Sequence, residues 1–295
     1  MSTTRTGSFP IGFRSTGNFA DEFDEHVQWV KDNGFAGIDC GGIDPQIIKR
    51  VLDAGLQVGS VDFPQPWEAL VSPDAAKRKD AAKKTAEYIH TVAALGVGNF
   101  FYIIMPENPE LERAENLKYT AESLGSICDA IGSTGAKIVL EGWPAGFPYY
   151  AVLACTPEGY RAVFDAVGSD VLAVNFDASH LIRMGIDPVR FCEEFVGRIE
   201  HVHAKDTELF EEAIYQYGHV QPPTLPPKPH GYGDHNWRYT IPGHGLAPWS
   251  RLFAILRDNG YKGMVSIELE DENFMGSKEA RQHGLIASRD FLIHA

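Results

Sequence analysis

Short apolar runs alternate along this chain with longer stretches in which apolar side chains return every three or four positions. The runs fit buried strands of a parallel sheet, and the longer stretches fit helices laid on it. Phe9 to Phe13 is the first run, followed by a helix capped by Asp21 with Phe23, Val27 and Val30 on one face. Gly37 to Cys40 reads as a second strand. Asp44–Pro45 opens a second helix that ends at Gly55, with Asp as the cap and Pro in the first turn. Gln57 to Asp62 is the third strand, and a long helix from about Pro73 to Leu95 stops at Gly96. Asn99 to Ile104 is the fourth strand, and the helix from about Leu111 to Ile131 is closed by Gly132 and Gly135. Lys137 to Glu141 and Val171 to Asp177 are strands five and six, with Thr156–Pro157 capping the helix between them. Asp187–Pro188 caps the next helix, Ile199 to Lys205 is strand seven, and Gly263 to Glu268 is strand eight. A last helix runs from about Ser277 to the end.

Eight strands, each followed by a helix, predict a (β/α)8 TIM barrel rather than a doubly wound sheet. No GxGxxG follows the first strand and no GxxxxGK occurs, so nucleotide binding has no support. No composition break marks a linker, and residues 1–295 are expected to form a single domain. One connection is anomalous. Residues 206–248 separate strand seven from the helix near Trp249, where strand-to-helix loops are usually roughly 2–6 residues. The segment carries Pro222, Pro223, Pro226, Pro227, Pro229, Pro242 and Pro248, together with His219, His230, His235 and His244. Its prolines and aromatics argue for an ordered excursion, expected to act as an active-site lid.

Composition narrows the partners. The chain has 295 residues with 40 acidic and 26 basic side chains, a formal charge of −14. That disfavours nucleic acid, which needs a basic footprint, and leaves room for an anionic small substrate. Cys40, Cys128, Cys155 and Cys192 are widely spaced with no CxxC pair, which suits a reducing compartment. The start of the chain is polar and no apolar run approaches membrane-spanning length. A cytoplasmic protein without a membrane partner is expected. A homo-oligomer is compatible with the sequence.

In a barrel, chemistry sits where strands end. KIVLE ends at Glu141, VLAVNFD ends at Asp177, HVHAKD carries His203, and the eighth strand carries Glu268. Four consecutive strands thus deliver one metal-competent group each to the same rim. Each group directly follows apolar residues, where an unpaired carboxylate is costly. A divalent cation resolves that cost; the competing reading is a buried salt-bridge network with Lys205 and Arg183. Three oxygens and one imidazole suit Mn²⁺ first, with Mg²⁺, Co²⁺ or Zn²⁺ also compatible.

The chain resembles the xylose-isomerase-like sugar isomerase/epimerase superfamily, whose members include ketose 3-epimerases, hydroxypyruvate isomerases and inosose isomerases or dehydratases. The matching pieces are LEGWP around Glu141, NFDASH with Asp177 and His180, HVHAKD from His201 to Asp206, PGHGLAPW from Pro242 to Trp249, and SIELE with Glu268. The resemblance implies one divalent cation on Glu141, Asp177, His203 and Glu268. It also implies acid/base roles for Glu141 and Glu268, and substrate contact by His180. The expected reaction is α-proton abstraction from a ketose or keto-sugar through a metal-stabilised enediolate. Glu268 is assigned as the base and Glu141 as its counterpart.

Other candidates lie around this set. His201 is two residues before His203 and on the same side of its strand, so it is expected deeper in the core. Lys205 could bind a hydroxyl or phosphate, or pair with Asp206 or Glu268. Arg238 and His244 in the long loop are candidates for substrate binding, and the two glycines beside His244 are expected to shape the turn. Trp143, Phe147, Tyr149 and Tyr150 follow Glu141 and could stack on a sugar, as could Trp67. Arg14 either faces the rim or pairs with Asp39 or Asp62. Lys77, Arg78, Lys79, Lys83 and Lys84 read as a solvated helix face.

The sequence also departs from its relatives. The DNA-repair endonucleases of this superfamily need further histidines after the earlier strands, and here Asp62-Phe63-Pro64 and Met105-Pro106 stand there. The long 206–248 insertion departs from the compact ketose epimerases. It keeps a keto-glycoside lyase or keto-inositol dehydratase as the alternative reaction. A non-catalytic sugar-binding barrel is the remote alternative, and the presence of both Glu141 and Glu268 argues against it.

Overall fold

The structure is a computed structural model that describes residues 5–6, 9–15, 22–42, 44–146, 151–219 and 223–295. Eight parallel strands close into a barrel: β1 (Phe9–Ser15), β2 (Gly37–Cys40), β3 (Gln57–Asp62), β4 (Asn99–Tyr102), β5 (Lys137–Glu141), β6 (Leu172–Asp177), β7 (Ile199–Ala204) and β8 (Val265–Ile267). Each strand pairs with its sequence neighbour, and β8 closes the ring on β1 with Val265 opposite Ile11. Strands enclosed on both faces must be apolar on both faces. Accordingly Ile38, Val61, Phe100, Val139, Leu140, Val174 and Val202 are all fully buried. The expected (β/α)8 barrel is the observed fold.

Helices between the strands start where the capping residues stand. Asp44 accepts from Gln46 N at the helix Pro45–Asp53, and Thr156 accepts from Gly159 N at the helix Pro157–Val167. Asp187 accepts from Val189 N and Arg190 N at the helix Pro188–Phe195. Each cap satisfies backbone donors that the helix leaves unpaired, contributing about 1 kcal/mol. The third helix begins at Ala75 behind an Asp74 cap rather than at Pro73, because Asp74 takes Ala76 N and Lys77 N. The helix at Phe23–Asp32 buries Phe23, Val27 and Val30 as expected, while Asp21 lies outside the described residues. On the Ala75–Ala93 helix, Lys77, Lys79, Lys83 and Lys84 face solvent. Arg78 does not. It is buried and donates to Ser72 O and to Glu122. Among the described residues no helix is long and apolar enough to cross a membrane.

The described part of the excursion after β7 carries secondary structure. Asp206–Leu209 pairs antiparallel with Trp237–Thr240, and the helix Glu211–Tyr217 stands between them. Its base is seated by one side chain. The buried Asp206 carboxylate accepts from Thr207 N (2.9 Å), Ala247 N (2.8 Å), Gly243 N (3.1 Å) and Trp249 Nε1 (3.2 Å). The two glycines of the GHG turn fit this seat. Gly243 has φ +90°, and a Cβ on Gly245 would lie 2.3 Å from Asp206 Oδ1. Pro222 of the excursion lies outside the described residues.

Candidate active site

Glu141 ends β5, Asp177 ends β6, His203 lies on β7 and Glu268 follows β8. In the strand register Asp177 stands level with His203, so side chains of neighbouring strands meet at one height. Oxygen and nitrogen atoms of Glu141, Asp177, His180 and Glu268 lie within 4.8 Å of one another. His203 touches two of these carboxylates: its Nδ1 is 2.6 Å from Glu141 Oε2 and 3.6 Å from Glu268 Oε2. Three of the four residues expected from the strand ends, Glu141, Asp177 and Glu268, therefore converge with His180, while His203 stands beside Glu141 and Glu268 and groups with Asp39 and His201.

Each carboxylate is held differently. Glu141 accepts from Asn175 Nδ2 at 2.5 Å, and His180 Nε2 lies 3.3 Å from its other oxygen. Burial works against its charge, but His203 and His180 outweigh burial and the nearby Glu268, holding Glu141 at about 2. Asp177 uses Oδ1 to cap the short helix Ala178–Arg183 through Ser179 N at 2.8 Å. Among the described residues its Oδ2 is buried with no hydrogen-bond donor, at 3.4 Å from both His180 Nε2 and Lys205 Nζ. Glu268 contacts the Lys205 ammonium and lies 3.3 Å from Arg14 Nε. Against burial, Lys205, His203 and Arg14 keep its carboxyl well below the ordinary range.

Lys205 sits inside the cluster. It is fully buried, bonded to Glu268 and to Glu270 (3.0 Å), with its ammonium 4.4 Å from the centre of the Tyr239 ring. Burial disfavours the ammonium, but Glu268, Glu270 and Asp177 prevail and raise its pKa well above that of free lysine. Asp206 is not its partner, because that carboxylate is spent on the loop seat. His180 Nδ1 lies 2.7 Å from the Tyr239 hydroxyl.

The remaining candidates separate. Arg14 makes a bidentate pair with Asp62 at 2.8 Å, as one of the two readings expected, and also reaches Glu268. Among the described residues Arg183 makes no ion pair with the cluster: it donates to Ala145 O at 2.7 Å and stacks on Trp237. Arg238 is engaged by Glu208 (2.8 Å) and Glu272 (3.0 Å), and none of its hydrogen bonds reaches the cluster. His244 is exposed on its turn. Trp143 packs half-buried against the core just beyond Glu141. Trp67 is a buried packing residue that donates to Phe63 O at 2.9 Å, with its ring tilted against Phe101 and edge-to-face with Tyr102. Phe147, Tyr149 and Tyr150 lie outside the described residues. His201 is fully buried and bonds Asp39 at 3.0 Å, deeper than His203, as its spacing implied.

Several participants were not anticipated. Asn175 precedes Asp177 by two residues on one strand, so strand period alone placed it on the same face. Asp39, a charge inside the apolar strand GIDC and expected only as an alternative partner of Arg14, meets His201 and His203 instead. Glu270 stands two residues past Glu268. Tyr239 carried no signal, since it reaches His180 from the far strand of the excursion.

The donor set fits a divalent cation. It offers carboxylate and imidazole atoms with no thiolate, it is buried, and Asp177 Oδ2 has a lone pair with no hydrogen bond to fill it.

The comparisons agree on the fold. A family model described as “Xylose isomerase-like TIM barrel” matches residues 25–293. The inosose dehydratase of Clostridium perfringens is 22% identical over 261 residues, covering 85% of this chain and 83% of that one. The crystal structure of 3-keto-D-glucoside 4-epimerase from E. coli superposes with a TM-score of 0.69 at 14% identity, over 97% of this chain and 100% of the other. The crystal structure of the IOLI protein with a bound zinc atom superposes with a TM-score of 0.67 at 16% identity, over 97% and 98%.

Proposed function

The chain belongs to the xylose isomerase-like TIM barrel family, and on that basis we propose that it is a divalent-cation-dependent isomerase or epimerase of a carbonyl sugar. The observation that carries this reading is the convergence of Glu141, Asp177, Glu268 and two imidazoles at the C-terminal ends of successive strands. Glu141, Asp177, His203 and Glu268 would hold the cation. When bound, it would withdraw electron density from the substrate carbonyl and acidify the neighbouring C–H.

The residues supply the rest. Glu268 is kept ionised by Lys205 and Arg14, so it is a carboxylate able to take the α-proton. Glu141 comes from β5, and Glu268 follows β8 on the other side of His203. Carboxylates placed on either side of a bound sugar can remove a proton from one face and return it to the other, which yields an epimer. Return to the adjacent carbon yields an isomer. Lys205 presents an ammonium where negative charge develops on oxygen, and His180 presents Nε2 beside Glu141 and Asp177. The oxygen-rich set favours Mn²⁺; the zinc in the IOLI structure keeps Zn²⁺ in the comparison.

The likeness to inosose dehydratase favours a second reading. After the same proton removal, the hydroxyl on the β-carbon leaves with its C–O electron pair. It takes a proton from Lys205 or His180 and departs as water. A keto-inositol would lose water in this way; from a keto-glycoside the glycosidic oxygen would leave instead with its C–O electron pair, take the same proton and depart as the aglycone alcohol. In either case the partner is a small sugar in the cytoplasm, with no role for nucleic acid.

A substrate screen with added Mn²⁺ over ketoses, keto-inositols and 3-keto-glycosides, run in D₂O, tests the proposal. A product of unchanged composition carrying solvent deuterium supports isomerisation or epimerisation. Loss of one water from a keto-inositol, or of the aglycone alcohol from a 3-keto-glycoside, supports the elimination. Absence of exchange and of product with every compound overturns both.

A further inference from the structure

Beneath the carboxylate cluster lies a second buried group, Asp39, His201 and His203, all with no solvent exposure, of which the proposed reaction uses only His203. Asp39 stands on β2 and the two histidines on β7, strands that β1 and β8 separate in the sheet. They can touch only across the barrel interior. Asp39 Oδ2 accepts from His201 Nε2 at 3.0 Å and lies 3.3 Å from His203 Nε2. Its other oxygen accepts from Ser60 N at 3.0 Å, which fixes the carboxylate plane. Space is fitted to this arrangement. A Cβ on Gly59 would fall 2.5 Å from Asp39 Oδ1, 2.8 Å from His201 Cε1 and 2.3 Å from Met264 Cε.

The two nitrogens of His203 thus face opposite ways, Nδ1 to Glu141 and Glu268 and Nε2 to Asp39. An imidazole that gives one nitrogen's lone pair to a cation carries its proton on the other, and that proton needs an acceptor. Asp39 Oδ2, 3.3 Å from His203 Nε2, is the carboxylate oxygen in reach of that proton. We infer that Asp39 is the positioning residue of the cation site: it accepts the His203 Nε2 proton, selects the tautomer that leaves Nδ1 free, and aims that nitrogen at the carboxylates. His201, held by the same oxygen, keeps Asp39 in place and is not itself a ligand. This inference rests on the reading that a divalent cation binds among Glu141, Asp177, His203 and Glu268.

Asp39→Asn tests it, because it keeps the shape while placing an amide where two carboxylate oxygens serve Ser60 N and the histidines. The full-length protein is titrated with Co²⁺, followed by visible absorption, and zinc-loaded protein carrying ¹⁵N-histidine is examined by NMR. His203 is assigned by the signal that His203→Gln loses. D39N is expected to bind Co²⁺ about 10–100-fold more weakly, and the wild type to show a hydrogen-bonded, downfield Nε2 proton on His203. Equal Co²⁺ affinity in D39N overturns the inference, as does a wild-type His203 protonated on Nδ1. Two ions per wild-type chain and one in D39N would make Asp39 a ligand and also overturn it. Failure of the wild type to bind either cation removes the site reading and this inference with it, whereas equal binding by both proteins removes only the inference. If D39N does not fold, the wild-type NMR signal decides alone.

Discussion

The Tyr239 hydroxyl lies 2.7 Å from His180 Nδ1, and this bond ties the excursion after strand seven to the carboxylate cluster. The Tyr239 ring also covers the Lys205 ammonium and packs on Trp237. Tyr239→Phe keeps that ring and removes only the hydroxyl. A buried hydrogen bond contributes about 0.5–1.5 kcal/mol, so turnover should fall by a factor of about 2–10 and stability by about 1 kcal/mol. Steady-state kinetics with urea unfolding checks both. A variant with wild-type turnover would detach Tyr239 from the chemistry.

Removal of the cation should lower thermal stability. A ligand at 100 times its Kd stabilises the native state by about 2.7 kcal/mol. Dialysis against a chelator is expected to lower the Tm, and Mn²⁺ to restore it. In Asp177→Asn, which alters the oxygen that has no hydrogen-bond donor, the chelator should change the Tm far less. An unchanged Tm in the wild type after complete chelation would count against a bound cation.

Glu268→Gln removes the proposed base while keeping the side chain's size. General-base removal commonly costs about 10²–10⁴-fold in turnover. The loss should appear in kcat and in solvent deuterium exchange together. A change confined to KM would assign Glu268 to binding, with proton transfer moving to Glu141.

Glu141 makes the chelated protein acid-sensitive in a defined window. Its folded pKa is lowered, against burial, by His203 and His180 from 4.5 to about 2. A lowered carboxyl pKa stabilises the native state above the unfolded value and loses that contribution as pH falls through the folded value. The Tm difference between the chelated wild type and Glu141→Gln should therefore be fully developed at pH 6 and shrink from about pH 4.5 downward. Thermal melts at pH 6, 4.5 and 3 measure it; a constant difference would show that Glu141 is not held below its ordinary pKa.

The barrel was legible because strands buried on both faces leave uninterrupted apolar runs, and Asp–Pro and Thr–Pro pairs mark helix starts. Apolarity reports burial rather than pairing, so Ile103 and Ile104 read as strand although β4 stops at Tyr102. The carboxylates of the site were legible as charges ending such runs. Contacts across the barrel were not: Asp39 meets His201 from a non-neighbouring strand, and no local period encodes that approach. Side chains of the excursion were the least readable. Arg238 and His244 have sugar-binding chemistry, yet Glu208 and Glu272 engage the first and the second is exposed.

The seat of the excursion provides the last prediction. Asp206 is the common acceptor for Thr207 N, Gly243 N, Ala247 N and the Trp249 indole, and it is wholly buried. Asp206→Ala leaves these donors without their acceptor, and each unsatisfied buried group costs about 1–3 kcal/mol. The barrel strands pair independently of this carboxylate, so the loss should fall first on the 206–248 segment. Limited proteolysis mapped by mass spectrometry should show cleavage within that segment at least several-fold faster than in the wild type, before any cut in the barrel. Gly245→Ala gives an independent test. It removes no hydrogen-bonding group but sets a methyl 2.3 Å from Asp206 Oδ1 and 2.5 Å from Thr207 O, so the turn must shift. Both variants should share the cleavage pattern and a loss of turnover, because Tyr239 depends on the same ribbon for its reach to His180. Faster cleavage with full turnover would mean that the seat orders the loop without serving the site.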